Sequence, residues 1–129
     1  MDADINRERL DGLTRQIIGS AQRVSSALGN GFLERVYQNA LAVELKNAKL
    51  PFATEVALQV RYDGQIVGDY KADMLVDGEI IVELKAVTEL DAVHKAQCMN
   101  YLKATGLKVC LLLNFGKPKL EVKRIVNGF

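Results

Sequence analysis

The stretch from Lys71 to Ala86 reads K-A-D-M-L-V-D-G-E-I-I-V-E-L-K-A: two apolar runs joined at Asp77-Gly78, with Asp73, Glu83 and Lys85 set into them. A carboxylate or an ammonium buried in a strand costs several kcal/mol unless it is paired, hydrogen-bonded or bound to a metal. Charges at these positions therefore point to a site rather than to a solvated face. Side chains alternate along a strand, so the loop between the two runs decides which residues share a face. A two-residue Asp77-Gly78 turn pairs Asp73 with Val82 and separates Asp73 from Glu83. A three-residue Val76-Asp77-Gly78 loop, with Gly78 left-handed beside a bulge, gathers Lys71, Asp73, Glu83 and Lys85 on one face and Ala72, Met74, Val82 and Leu84 behind them. Only the second keeps the apolar residues together, and it is the expected geometry.

In that arrangement Asp73 and Glu83 are diagonal neighbours on adjacent strands, about 5–8 Å apart, with Lys85 one step along. Hard carboxylate oxygens suit Mg²⁺ or Mn²⁺. Such a cation lowers the pKa of a bound water and neutralises charge on a phosphoryl oxygen. Lys85 would orient the water or stabilise a pentavalent phosphorane. Without metal, the like charges raise the pKa of one carboxylate while Lys85 opposes the rise.

The pattern from Ala72-Asp73 to Glu83-Leu84-Lys85, A-D-x9-E-L-K, resembles the signature of the PD-(D/E)xK nuclease superfamily, with Ala72 in place of its variable proline. Gly31 to Tyr37, G-F-L-E-R-V-Y, fits G-x-x-E-x-x-Y, the stretch that names the bacterial GxxExxY family within that superfamily. His94-Lys95-Ala96-Gln97, Asn100-Tyr101-Leu102-Lys103 and Asn114-Phe115-Gly116 are also similar to that family, so the resemblance spans roughly Ile17 to Arg124. It implies that Asp73, Glu83 and Glu34 hold the metal and that Lys85 handles the attacking water. Gln97 and Tyr101 would form the Q-x-x-x-Y element that contacts substrate phosphate or positions the metal site. By spacing alone, Glu34 and Tyr37 share a helix face and read as a solvated glutamate beside a half-buried tyrosine; the resemblance brings both toward the site, with Gly31 letting the helix start lie close to the sheet. His94, Gln97 and Tyr101 fall at i, i+3 and i+7, a polar face able to point at the site. The alternative is a lone histidine and an amide on a solvated helix.

The 129 residues, 49% hydrophobic and 26% charged, fit one ordinary domain with a core of its own. The first ten or so residues are polar and read as loosely ordered. The charged start has no apolar segment after a basic end, so no signal peptide is expected and the expected compartment is the cytoplasm. Nor is there an apolar run that could span a bilayer. Cys98 and Cys110 have no partner at metal-site spacing and read as two reduced core thiols. The net charge is +1, so any nucleic-acid surface has to be local. Lys117, Lys119, Lys123 and Arg124, with Lys103 and Lys108, are candidates to hold phosphates, or else form a solvated edge. No Walker loop, paired CxxC, dinucleotide fingerprint or G-x-S-x-G is present.

Along the chain, Leu13, Ile17, Ala21, Val24 and Leu28 predict a helix from Asp11 that ends at Gly29-Asn30-Gly31. A second helix from Phe32 to Ala48 would bury Leu33, Val36, Ala40, Leu41, Leu45 and Ala48. Val56, Leu58, Val60 and Tyr62 alternate in a strand closing at Asp63-Gly64. A second strand from Gln65 to Leu75, with a bulge marked by Gly68, and a third from Glu79 to Val87 complete a meander. After N-cap choices from Thr88 to Asp91 comes a helix to Thr105, burying Val93, Ala96, Met99 or Asn100, and Leu102, with Gly106 as its stop. Val109–Asn114 should then lie parallel to the third strand, and a last strand spans Leu120 to Ile125. The expected fold is α/β, of mixed α+β character: a restriction-endonuclease-like core with a mixed sheet of four or five strands flanked by helices.

Two functions follow from these residues. The first is a Mg²⁺- or Mn²⁺-dependent phosphodiesterase acting on nucleic acid, DNA ahead of RNA, in which a partner chain or, as the resemblance implies for small nucleases, a homodimer could supply further surface. The second is a non-catalytic module that keeps the fold, binds nucleic acid or protein, and uses Asp73 to Lys85 as a buried salt bridge.

Overall fold

The computed structural model describes residues 3–129. Its elements are α1 (Ala3–Leu28), α2 (Glu34–Asn47), β1 (Phe52–Tyr62), β2 (Gln65–Val76), β3 (Ile80–Lys85), α3 (Ala92–Thr105), β4 (Val109–Asn114) and β5 (Glu121–Val126). The strands form one five-stranded sheet in the order β1-β2-β3-β4-β5. Neighbours are antiparallel except β3 and β4, which run parallel across the α3 crossover as expected. β3 and β4 read almost continuously apolar because both of their faces are covered. On one face α1 and α2 bring Leu13, Ile17, Ala21, Leu41 and Leu45 against Met74, Val82, Leu84, Leu111 and Leu113. On the other, Cys98, Tyr101 and Leu102 of α3 pack on Ile81, Cys110 and Leu112.

Several boundaries differ from the sequence reading. α1 begins at Ala3 rather than at Asp11, with Leu10 in the core and Arg9 paired to Glu79 in the β2–β3 loop; Asp11 lies within the helix and pairs with Arg124. Met1 and Asp2, which fall in the stretch expected to be loosely ordered, lie outside the described residues. α2 starts at Glu34 with Leu33 as an extended N-cap, so Leu33 is 80% exposed and Val36 is exposed too. Its buried face keeps the expected Leu41 and Leu45 and adds Tyr37 and Gln38. On α3 the buried face is Cys98, Tyr101 and Leu102, which leaves Val93 at solvent. The expected stops of α3 are in place: Asp91 caps its start and Gly106, at φ 78°, its end.

The loop between β2 and β3 also differs. It is Asp77-Gly78-Glu79, with left-handed backbone at Asp77 (φ 54°) and Gly78 (φ 66°), and Val76 pairs with Ile80. This keeps the expected parity but slides the register by two residues. Asp73 therefore comes directly opposite Glu83 rather than diagonal to it.

Candidate functional site

The site forms where the sheet ladder lapses. The β1–β2 register runs from Thr54↔Met74 to Val56↔Ala72, passing over Glu55 and Asp73, and Glu55 is left-handed at φ 52°. Irregularities of this kind re-aim side chains in a strand. Here the alternation breaks: Met74 packs under α1 and α2, but Ala72, expected behind Asp73 with Met74, joins the α3 side. Asp73 sits at the switch. The recorded β2–β3 ladder ends at Met74↔Val82, and beyond it the two carboxylates stand in for backbone partners. Asp73 Oδ2 accepts the Leu84 N–H at 2.8 Å, and Glu83 Oε1 accepts the Asp73 N–H at 3.3 Å. Each carboxylate is held by the other strand's backbone, which fixes the pair.

Glu83 is only 4% exposed. Burial, and then the hydrogen bond and charge of Asp73, push its carboxyl up to about 9, so it carries a proton at neutral pH when no cation is bound. The direction is the one expected for one member of the pair, but burial rather than like charge is its largest cause. Lys85 follows at the end of β3, half-buried, and among the described residues it forms no ion pair with either carboxylate. The buried salt bridge of the alternative reading is therefore not formed.

What holds the end of β3 is Asn114, fully buried and opposite Lys85. Its Oδ1 accepts the N–H groups of Val87 and Gly116, each at 3.0 Å, and its Nδ2 donates to the Val87 carbonyl at 2.9 Å and to Glu121 Oε1 at 3.1 Å. All four capacities of the amide are used, as burial requires. Gly116 is part of the same clamp, since a Cβ there would lie 2.3 Å from the Val87 carbonyl oxygen. The sequence carried one signal for this, a polar residue closing an apolar run.

The other expected residues divide into those near the carboxylates and those elsewhere. Tyr101 is near: burial, then the charges of Glu83 and Asp73, push its hydroxyl up to about 12, so it stays a donor. Gln97 lines a cavity of about 250 Å³ with Tyr101, and Lys103 lines an adjoining one of about 550 Å³. His94 accepts the Asp91 N–H through Nδ1 at 3.2 Å, completing the capping box of α3, so it has a task in the helix start. Lys117 is paired with Glu89 and Glu121, and Lys119 is exposed beside Ser25 and Ser26 of α1. Arg124 is occupied by Asp11, which removes it from the expected phosphate-holding run.

Two expectations need correction. Tyr37 is fully buried and cannot meet a substrate: its hydroxyl donates to the Gly29 carbonyl at 2.6 Å and accepts the Phe32 N–H at 3.2 Å, and its ring stacks on Phe115 at 4.7 Å. It ties the α1–α2 loop to the core. Glu34 is exposed at the start of α2, and among the described residues no group of three or more His, Cys, Asp or Glu side chains is gathered as a metal site. The neighbouring α2 side chains Arg35 and Gln38 instead hold Glu55, at 2.9 and 3.4 Å. The ladder-breaking role of Glu55 has no signature in the sequence.

The donor set that remains, Asp73 and Glu83, fits a hard divalent cation. Glu83 is buried and Asp73 half-buried beside it, and among the described residues neither carboxylate is in an ion pair; a dication would relieve the pair of its proton and its repulsion.

The family model of the PD-(D/E)XK nuclease superfamily matches residues 11–125. Among solved structures, the crystal structure of SSO0001 superimposes with a TM-score of 0.56 at 18% identity, over 96% of this chain and 63% of that one. An alkaline exonuclease from Laribacter hongkongensis superimposes with a TM-score of 0.50 at 12% identity, over 84% of this chain and 76% of that one. At these identities the likeness is one of fold, and it agrees with the restriction-endonuclease-like core expected from the sequence. The chain spans less than two thirds of the first of these proteins. Comparison with curated proteins gave no match.

Proposed function

Because the chain belongs to the PD-(D/E)XK nuclease superfamily, we propose that it is a metal-dependent phosphodiesterase that hydrolyses the nucleic-acid backbone, DNA ahead of RNA. The observation that carries the proposal is the Asp73–Glu83 pair, each carboxylate fixed by the other's strand, with Lys85 beyond it and unpaired among the described residues. The finer placement in the GxxExxY family rests on Gly31, Glu34 and Tyr37. A second copy of the chain completing the substrate surface belongs to the same proposal.

Asp73 and Glu83 would hold Mg²⁺ or Mn²⁺. When bound, the cation supplies a Lewis acid that acidifies water and neutralises charge on a phosphoryl oxygen. The chain's own groups do the rest. Glu83 would lose its proton to solvent on holding the cation. The Lys85 ammonium orients the attacking water or donates to the phosphate. Tyr101, held protonated, and Gln97 donate to phosphate oxygens.

Thermal stability followed during Mn²⁺ and Mg²⁺ titration of wild type and Glu83→Ala tests this reading, followed by assays of the loaded protein on single- and double-stranded DNA and RNA. Stabilisation and cleavage confined to wild type are expected. If neither protein responds to metal, the carboxylates serve structure and the fold serves binding alone.

A further inference from the structure

Beyond Asp73 the β1–β2 ribbon stands clear of β3 and leans over α3, enclosing the adjoining cavities of about 550 and 250 Å³. Their combined size lies in the range of sites for small organic groups, about 300–1,000 Å³. The walls are chemically mixed. Tyr70 on β2 contributes to both cavities and is 52% exposed. Its ring rests against Tyr101 at 5.9 Å between centroids and lies across Gly68, where a Cβ would come within 3.3 Å of it. Gly68 thus makes room for this ring. Arg61 and Lys103 flank it from the ribbon and the helix, and among the described residues neither is in an ion pair. Asn100 supplies an amide to both cavities.

A half-exposed ring with unpaired cations on either side matches one chemistry, a polyanion that carries flat aromatic groups. Tyr70 is three residues from Asp73, about 10 Å along a strand, so the groove leads to the carboxylate pair by way of Tyr101. Resting on the nuclease reading above, we infer that this groove is a subsite for unpaired nucleotides beside the scissile phosphate, with a base stacked on Tyr70 and phosphates held by Arg61 and Lys103. The substrate class is then single-stranded nucleic acid or a frayed end. In an intact duplex the base faces are covered by their neighbours and are not available to Tyr70.

The test is fluorescence anisotropy in chelator with a labelled single strand, the same strand carrying abasic sites, and the duplex. Wild type should prefer the single strand. Tyr70→Ala should weaken that binding roughly five- to a hundredfold, the range for loss of one base–aromatic stack, and Tyr70→Phe should restore it. The abasic strand should bind wild type as weakly as the intact strand binds Tyr70→Ala. Arg61→Ala and Lys103→Ala should lower affinity and flatten its salt dependence. Unchanged binding by Tyr70→Ala, or equal binding of intact and abasic strands, would overturn the subsite. If in that case wild type still cleaves with metal and Glu83→Ala does not, only the subsite fails and the nuclease reading stands. Absence of any binding or cleavage by wild type sinks both; self-association abolished by Tyr70→Ala, without oligonucleotide binding, gives the groove to a second copy instead.

Discussion

At the scale of single residues, the informative side chain is Glu83. Its folded value of about 9 lies above the ordinary carboxyl value, so the metal-free native state holds a proton that the unfolded chain releases at lower pH. The stability this contributes is fully present below the unfolded value and is lost as pH rises through about 9. In chelator, the wild-type melting temperature should therefore fall steadily from acid to alkaline pH, and Glu83→Gln, which keeps the neutral shape, should show a much flatter profile. If the pair holds Mg²⁺ or Mn²⁺ as proposed, the trend should reverse for wild type, because the metal would compete with that proton and its stabilisation would grow with pH. Thermal melts across pH, with and without metal, check both signs. Identical profiles for the two proteins would mean that Glu83 is not the group that titrates.

At the scale of elements, the decisive feature is how the ends of β3 and β4 are joined. Asn114 closes a four-bond clamp between the β3 exit and the β4–β5 turn, and this clamp sets where Lys85 leaves the sheet. Asn114→Ala strands the Val87 and Gly116 N–H groups and should cost about 2–4 kcal/mol, since each unsatisfied buried group costs about 1–3 kcal/mol. Urea denaturation measures that loss. A change below half a kcal/mol would mean that water replaces the amide. The irregularity at Glu55 is the matching device at the other end of the site. It interrupts the β1–β2 ladder opposite Asp73, and Arg35 and Gln38 of α2 hold the glutamate that makes it.

At the scale of the whole molecule, β3 and β4 are covered on both faces, and the layer between β4 and α3 holds Cys98 and Cys110 without exposure. The contact with Cys98, reinforced by burial, pushes the Cys110 thiol up, so it stays protonated and unreactive in the native state. Native protein should react with a thiol reagent only as fast as it unfolds, and denatured protein at once at both positions. Measured against denaturant, the exchange rate should track global stability; rapid native labelling would reveal local opening of α3. No helix among the described residues is long and apolar enough to cross a membrane.

The sequence by itself determined the element order and the meander with its crossover, and it singled out Asp73, Glu83 and Lys85, because strand alternation and the cost of buried charge act locally. It also foretold that Asp73 and Glu83 share a face, since only an odd loop keeps the apolar residues together. The tertiary structure alone decided the rest. Whether the loop comprised Val76 to Gly78 or Asp77 to Glu79 is not written in parity, which is the same for both, and the choice brought the carboxylates directly opposite. That Tyr37 is core rather than site depends on where α2 begins and on Phe115, far away in the chain. The transfer of Ala72 to the α3 side depends on a left-handed residue in another strand. The groove at Tyr70 exists only because β1, β2 and α3 meet, and no local pattern of residues encodes a meeting between distant elements.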